Sequence, residues 1–287
     1  MGHDQHVTIR GKGAFVTHNA VERWDLWTAC GLEWCALQHV WCWGSESGPI
    51  AFDEVTRSPG CLIDEAFAAR VRGVNPWWWA WVIPSRVDAY VAQLAEDLQV
   101  AGEAAPVGVI LNLELAEPGG ARGAGRRAWD LATPGIEDAA ARLVRGVRAV
   151  WPGDVLVTSH GLQSRRMPWS ALGECDGAMP QAYNQSCTYD SGFVRRCVDS
   201  YADGAFQGKR VVPLLGANST PAACMRRYVS ETEDARSPAA GWWAWTGLAA
   251  SAAKRAEVAM CNLRHAPASH FATASHTVGI LAEHRSP

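Results

Sequence analysis

Two polar side chains interrupt an apolar stretch of the chain, and their types suit acid–base chemistry. In VGVILNLE, residues 107–114, the run is apolar until Asn112 and Glu114. Residues two apart on a β-strand point to the same side of the sheet, so the amide and the carboxyl group would share one face. A carboxyl group held there can act as a general acid and then as a general base. We predict this role for Glu114.

A structural role for Glu114 is the alternative at this point. The segment that follows contains ARGAGRR, residues 121–127, and Arg122 or Arg126 could form an ion pair with the carboxylate. The residues by themselves leave both roles open.

The elements that must position this pair alternate along the chain between short apolar stretches and amphipathic helical stretches. Several of the apolar stretches have almost no polar residue, which is typical of parallel strands buried on both faces. The eight predicted strands cover residues 13–18, 35–43, 77–83, 107–114, 154–160, 176–183, 210–217 and 240–246.

Helix-starting signals lie between these strands. A Thr-Pro pair predicts an N-cap residue followed by a proline in the first turn. The signals are Ser85 before 86–99, Thr133-Pro134 before 135–151 and Thr220-Pro221 before 222–235, and a last helix is predicted over 249–263.

Eight strand–helix units predict an α/β fold, a single-domain (β/α)8 TIM barrel. The alternative is an open doubly wound sheet, which usually carries a glycine-rich turn after its first strand. No GxGxxG motif follows the first predicted strand, and GGARGAG follows the fourth. We therefore predict a catalytic barrel over residues 1–264 and a C-terminal tail or strap over 265–287.

In a TIM barrel the functional residues lie at the C-terminal ends of the strands and in the loops that follow them. The predicted strand ends are rich in polar and aromatic residues. Beside Asn112 and Glu114, our candidates for substrate contact are Trp43, Trp81, His160, Gln181, Tyr183, Asn184, Asn218 and Trp245.

The stretch GVILNLE resembles the strand-four signature of family 18 chitinases, DGxDxDxE, with Glu114 at the position of the catalytic acid. Ile110 and Asn112 stand where the chitinases place aspartates. Family 85 endo-β-N-acetylglucosaminidases carry an Asn-x-Glu pair in a similar strand, and family 25 lysozymes are related barrels with an Asp-x-Glu strand. The chain is too short for the long accessory regions of family 85, so the resemblance favours a distinct, related family.

The resemblance implies a reaction in which the substrate's own 2-acetamido oxygen attacks the anomeric carbon. Enzymes of this kind need no second carboxylate as nucleophile. Glu114 would be the acid/base, and Asn112 would orient the acetamide. MPQAYN at 179–184 resembles the chitinase MxYD/N element, which implies that Tyr183 also holds the acetamide, with Gln181 on the same face.

Tryptophan is unusually abundant, with 15 residues against 6 Phe and 5 Tyr. GWWAWTG at 241–247 resembles the chitinase strand that supplies a tryptophan under the sugar, and Trp245 matches that position best. Indole faces stack on the C–H faces of sugar rings. We expect Trp43, Trp245 and either Trp81 or Trp129 to meet a saccharide, and about two thirds of the tryptophans to be structural.

Composition excludes several other classes. The net charge of −3 argues against a dedicated nucleic-acid binder, which usually carries a basic face. No apolar run is long enough to cross a bilayer, and neither the nine cysteines nor the nine histidines have metal-ligand spacing. We therefore expect a glycan substrate as the partner, no cofactor, no metal, no nucleic acid and no membrane insertion, and the sequence leaves the oligomeric state open.

The start, MGHDQHVTIRGKG, has no apolar core of a secretory signal. We expect synthesis in the cytoplasm, with release by a phage-type lysis route or a role in recycling inside the cell.

Three functions follow from these patterns. The first is a retaining glycosidase that acts on N-acetylhexosamine glycans, with peptidoglycan favoured and with chitin-type glycans and N-glycans left open. The second is a non-catalytic carbohydrate-binding barrel, because Ile110 and Asn112 depart from the chitinase pattern. The third is a different hydrolase that uses His160 or a cysteine, although no Ser/His/Asp or Cys/His spacing supports it.

Overall fold

The computed structural model describes residues 9–16, 24–41, 59–115, 129–183, 191–217, 220–234, 237, 239–243 and 245–261. Their strands form one closed, fully parallel barrel. The sheet runs from the fifth strand back to the first and continues through the ninth and eighth to the sixth, and the sixth pairs with the fifth. The (β/α)8 TIM-barrel prediction is confirmed. The division into a barrel over 1–264 and a tail over 265–287 stays a prediction.

The strands agree closely with the eight predicted stretches, with one stretch divided in two. They are β1 (Gly11–Val16), β2 (Trp34–Trp41), β3 (Asn75–Trp81), β4 (Gly108–Asn112), β5 (Asp154–His160), β6 (Gly177–Gln181), β7 (Arg210–Val211), β8 (Leu214–Gly216) and β9 (Ala239–Trp243). The predicted strand 210–217 is interrupted at Pro213, which has no N–H group to donate to a neighbouring strand.

Helices surround the barrel. They are α1 (Trp24–Cys30), α2 (Pro59–Val71), α3 (Val87–Ala101), α4 (Ile136–Val150), α5 (Trp169–Leu172), α6 (Phe193–Ala202), α7 (Ala222–Asp234), α8 (Trp245–Ala249) and α9 (Ala252–Met260). Within the described ranges, no helix has the length and apolar character needed to cross a bilayer.

Three helix predictions need correction. Ser85 lies inside a 3-10 turn, Pro84–Arg86, and the residue before α3 is Arg86, so Ser85 does not cap that helix. The residue before α4 is Gly135, with a left-handed φ of 81°, so Thr133 is not its N-cap. The backbone carbonyl oxygen of Thr133 instead accepts a hydrogen bond from Ile136 N in the turn that precedes the helix. The predicted helix 249–263 corresponds to α9, which begins only at Ala252, because Ser251 precedes it and its side chain caps it by accepting from Lys254 N. Residue 249 is the last residue of α8.

Indole rings fill the barrel interior opposite glycines of neighbouring strands. The interior cluster includes Trp34, Trp77 and Trp79, all almost fully buried. A Cβ atom at Gly108 would overlap the ring of Trp77, and one at Gly241 would lie 2.8 Å from the ring of Trp34. Large residues thus fit where their neighbours have no side chain, which accounts for part of the tryptophan content.

Gly108→Ala should lower the free energy of unfolding by about 3 kcal/mol, because the added methyl group meets a rigid indole ring in a packed core. Chemical denaturation of the variant beside Gly216→Ala measures this. Gly216 is a suitable control, since its added Cβ would meet no atom nearer than 3.4 Å. Trp77→Phe in the Gly108→Ala background should recover part of the loss. Equal stabilities for the two alanine variants would contradict this packing argument.

Candidate active site

The predicted pair lies at the mouth of the barrel, at the C-terminal end of β4. The strand ends at Asn112, and Leu113 N continues the pairing with a bond to Thr158 O on β5, at 2.9 Å. Asn112 Nδ2 donates to Glu114 Oε1 at 3.2 Å. The two side chains therefore meet on one face, as strand alternation predicts.

Gln181 connects the pair to β6. Its Nε2 donates to Asn112 Oδ1 at 3.0 Å and to Glu114 Oε1 at 3.1 Å. Oε1 of Glu114 thus accepts two amide N–H groups, while Oε2 carries neither bond. A proton on this carboxyl group would stand on Oε2, because amide donors occupy Oε1.

The backbone after β6 brings two side chains into the site. Ala182 N donates to Pro180 O at 2.9 Å, and Tyr183 N donates to Gln181 O at 2.7 Å. Bonds between residues two apart define γ-turns, which are common where a strand ends. This bend directs both Gln181 and Tyr183 toward the cavity.

A cavity of about 210 Å³ opens beside the pair. It is smaller than the roughly 300–1,000 Å³ pockets that hold drug-sized ligands, and its size suits a single ring and its substituents. Polar groups occupy one side and aromatic rings the others. The lining residues are Phe15, Trp81, Asn112, Glu114, Thr158, Gln181, Tyr183, Leu214 and Trp243.

Tyr183 carries a phenol group that can donate a hydrogen bond to a molecule in this cavity. Desolvation of the phenol raises its pKa well above the ordinary value, and the negative charge of Glu114 raises it further. The hydroxyl group is therefore protonated at neutral pH. It can donate to an acceptor such as a carbonyl oxygen.

Besides Tyr183, three aromatic residues line the cavity, and two of them, Phe15 and Trp243, were not predicted from the sequence. Phe15 lies on β1, and its ring centroid is 5.7 Å from that of Trp243, the last residue of β9. Trp81 was a candidate, and it stands opposite Asn112 in the β3–β4 register. Trp245, the predicted sugar platform, is the first residue of α8, so Trp243 occupies the strand end.

His160 was predicted to contact substrate, and the structure places it beside the backbone of the acid. Its Nε2 accepts a hydrogen bond from Leu115 N at 3.1 Å. Trp129, a weaker candidate for stacking, is fully buried and its Nε1 donates to Val82 O at 2.8 Å. Trp129 is thus a structural tryptophan.

Several candidates lie outside the described residues, and their roles stay predictions. They are Trp43, Asn184 and Asn218, together with Arg122 and Arg126 of the alternative ion pair. The same holds for the side chain of Trp245. Among the residues that the structure does describe, no three His, Cys, Asp or Glu side chains come together as a metal site.

A closed parallel barrel with an Asn-x-Glu pair at the end of its fourth strand has the architecture expected from the resemblance to family 18, and comparison with solved structures confirms the resemblance at the level of fold. The chitinase RmChi1 from Rhizomucor miehei matches with a TM-score of 0.62 and 10% identity over 88% of this chain and 100% of that chain. The spore cortex-lytic enzyme SleL of Bacillus megaterium QM B1551 matches with 0.55 and 9% over 82% and 70%.

A xylanase-α-amylase inhibitor protein, XAIP-I, solved as a complex with trehalose, matches with a TM-score of 0.58 and 14% identity over 88% of this chain and 98% of that chain. Compared by sequence, the chain matches no family model and no curated protein. The likeness is therefore one of fold, and the chemistry depends on the side chains of the site.

Proposed function

We propose that this protein is a retaining glycoside hydrolase that cleaves N-acetylhexosamine-containing glycans with the help of the substrate's acetamido group. The observation that carries the proposal is the hydrogen-bonded set of Asn112, Glu114 and Gln181 in a cavity that Tyr183 also lines. Among the described residues, the lining includes one carboxylic acid, Glu114, and this mechanism needs no second carboxylate as nucleophile.

In the first step, Glu114 donates a proton from Oε2 to the glycosidic oxygen as the bond from that oxygen to C1 breaks. The acetamido oxygen forms a bond to C1 on the opposite face, which gives an oxazolinium ion and releases the leaving sugar as an alcohol. Tyr183 donates to the acetamido oxygen. Asn112 Oδ1 keeps one lone pair beside its bond from Gln181, and this lone pair accepts the acetamido N–H.

In the second step, the Glu114 carboxylate removes a proton from water while the water oxygen attacks C1 and the bond to the acetamido oxygen breaks. The acetamide is restored, and Glu114 regains the proton that it used in the first step. Two displacements at C1 leave the configuration as it began.

Aromatic walls complete the site, because ring faces suit the C–H faces of a pyranose. We expect Trp243→Ala to weaken the binding of N-acetylglucosamine oligomers about 10-fold, or ~1.4 kcal/mol, through loss of one stacking surface. Isothermal titration with Trp245→Ala as the paired variant measures it. A larger loss of affinity in the Trp245 variant would show that Trp245, the residue predicted from the sequence, stacks on the sugar.

The substrate that we favour is peptidoglycan. Chitinases and a spore cortex-lytic enzyme are among the structural neighbours, so the acetamido sugars common to chitin and cell wall are the first to test.

Purified peptidoglycan, chitin oligomers and N-glycans should be incubated with the protein, and the products analysed by mass spectrometry. New reducing ends on muramic acid or on glucosamine identify the bond, and early NMR spectra should show retention. No new reducing ends on any of the three would overturn the proposal.

A non-catalytic carbohydrate-binding barrel is the second candidate. Its support is Ile110 and Asn112 in place of two aspartates, together with the likeness to XAIP-I. The same incubation separates the two candidates, because a binding protein would retain the oligomers without creating reducing ends.

A further inference from the structure

His160 holds the peptide group that follows the proposed acid. Leu115 N donates to His160 Nε2 at 3.1 Å. An accepting ring nitrogen carries no proton, so this bond assigns His160 to the neutral tautomer with its proton on Nδ1. The imidazole is not among the residues that line the cavity.

The peptide in question is held at both of its polar atoms. The Glu114 carbonyl accepts from Trp129 N at 3.1 Å, and the Leu115 N–H of the same peptide donates to His160. β4 ends two residues earlier, so this peptide lies beyond the regular strand. Two bonds at opposite ends of one planar group fix its orientation, and with it the direction in which the Glu114 side chain leaves the backbone.

The backbone of His160 is itself held in place by the barrel. It is the last residue of β5 and stands opposite Gln181 in the register with β6. Its carbonyl accepts a hydrogen bond from Tyr201 Oη at 2.6 Å, and Tyr201 is fully buried on α6 with the ring of Trp169 at 5.4 Å. The contact with Leu115 therefore connects the acid's backbone to a packed part of the barrel.

We propose that His160 is a positioning residue, which aims the Glu114 carboxyl group at Asn112 and Gln181 by fixing the peptide between residues 114 and 115. This inference rests on the proposed function of Glu114. A misplaced catalytic group costs rate even when the substrate still binds, since reacting atoms must stand within a narrow distance. Loss of the imidazole acceptor should therefore lower kcat and leave KM nearly unchanged.

The experiment compares His160→Leu with His160→Gln. The leucine variant has no acceptor, and we expect kcat to fall about 30-fold. The glutamine amide oxygen can reach the place of Nε2, so kcat should return to within about fivefold of the wild-type value. Thermal unfolding of each variant shows whether the fold is retained. A kcat for His160→Leu within about twofold of wild type, or a rise in KM alone, would overturn the proposal.

Two measurements judge the positioning role without activity. Long-range ¹H–¹⁵N NMR spectra should show the proton of His160 on Nδ1, and amide exchange at Leu115 should speed up about tenfold or more in His160→Leu. Leu113 N is the internal control, since its partner is Thr158 O and its exchange should stay unchanged. If the wild-type protein cleaves no glycan, the proposed function fails by itself. Unchanged Leu115 protection in the leucine variant would overturn the positioning role in either case.

Discussion

Replacement of Glu114 by glutamine is expected to lower kcat for the cleavage of an N-acetylhexosamine glycan by about 1,000-fold, which is within the range for loss of a general acid–base group. The glutamine oxygen can still accept the bonds that Asn112 Nδ2 and Gln181 Nε2 make to Oε1. Its amide nitrogen would then occupy the position of Oε2, where it can neither donate a proton to the leaving oxygen nor remove one from water. The variant should therefore keep the fold and the hydrogen bonds of the site but lose catalytic activity.

Initial rates of reducing-end formation and oligomer binding by titration measure the two effects separately. Binding should stay within about threefold of wild type, because the substitution removes no lining surface. Glu96→Gln is a matched control, since Glu96 is exposed on α3. Undiminished hydrolysis by Glu114→Gln would show that Glu114 is not the general acid of the reaction.

Periodicity along a strand explains why the central pair could be predicted. Side chains alternate at every residue of a strand, so two residues separated by one position share a face wherever the strand lies. This local rule predicted Asn112 beside Glu114. It also predicted Gln181 beside Tyr183, although in the structure β6 ends at Gln181 and the γ-turns after it bring Tyr183 to the cavity. The hydrogen bonds from Gln181 to the first pair depend on the packing of β4, β5 and β6, which a single strand does not reveal.

The aromatic walls depend on where a strand ends, which is harder to predict. Trp243 and Trp245 would share one face of a continuous strand, and only the start of α8 at Trp245 separates them. Phe15 was missed because the candidates were taken from the ends of the predicted strands, and the first predicted strand continues to residue 18, three positions after Phe15. Strand ends are decided by the competing helix or loop, which involves residues outside the strand pattern.

His160 shows the limit of reasoning from residue type. A histidine at the end of a barrel strand has the character of a substrate contact, yet its ring accepts from Leu115, which is 45 positions away in the chain. That contact depends on the path of the backbone after β4. The pairing of glycine with tryptophan inside the barrel is equally long-range, because Gly108 and Trp77 lie on different strands.

Asn112 is the second residue whose replacement should have a large effect. Its Nδ2 donates to Glu114, its Oδ1 accepts from Gln181, and the remaining lone pair of Oδ1 is available to the acetamido N–H. Asn112→Ala removes all three interactions at the centre of the site. We expect kcat to fall about 300-fold, which is comparable with the loss of one preorganised donor at a charge-developing centre.

Asn112→Asp tests the amide group of this residue separately from its size, because aspartate has nearly the same shape but has a carboxyl group in place of the amide. The new carboxyl group would stand where Nδ2 is now, 3.2 Å from Glu114 Oε1, and two carboxyl groups this close are stable together only when they share a proton. Activity of the aspartate variant should therefore exceed that of Asn112→Ala at acidic pH and fall as the pH rises and the shared proton is lost. Asn75→Ala is the control, because Asn75 is exposed at the opposite end of the barrel. If the wild-type and aspartate variants have the same pH–rate profile, Asn112 does not contact the acid during the reaction.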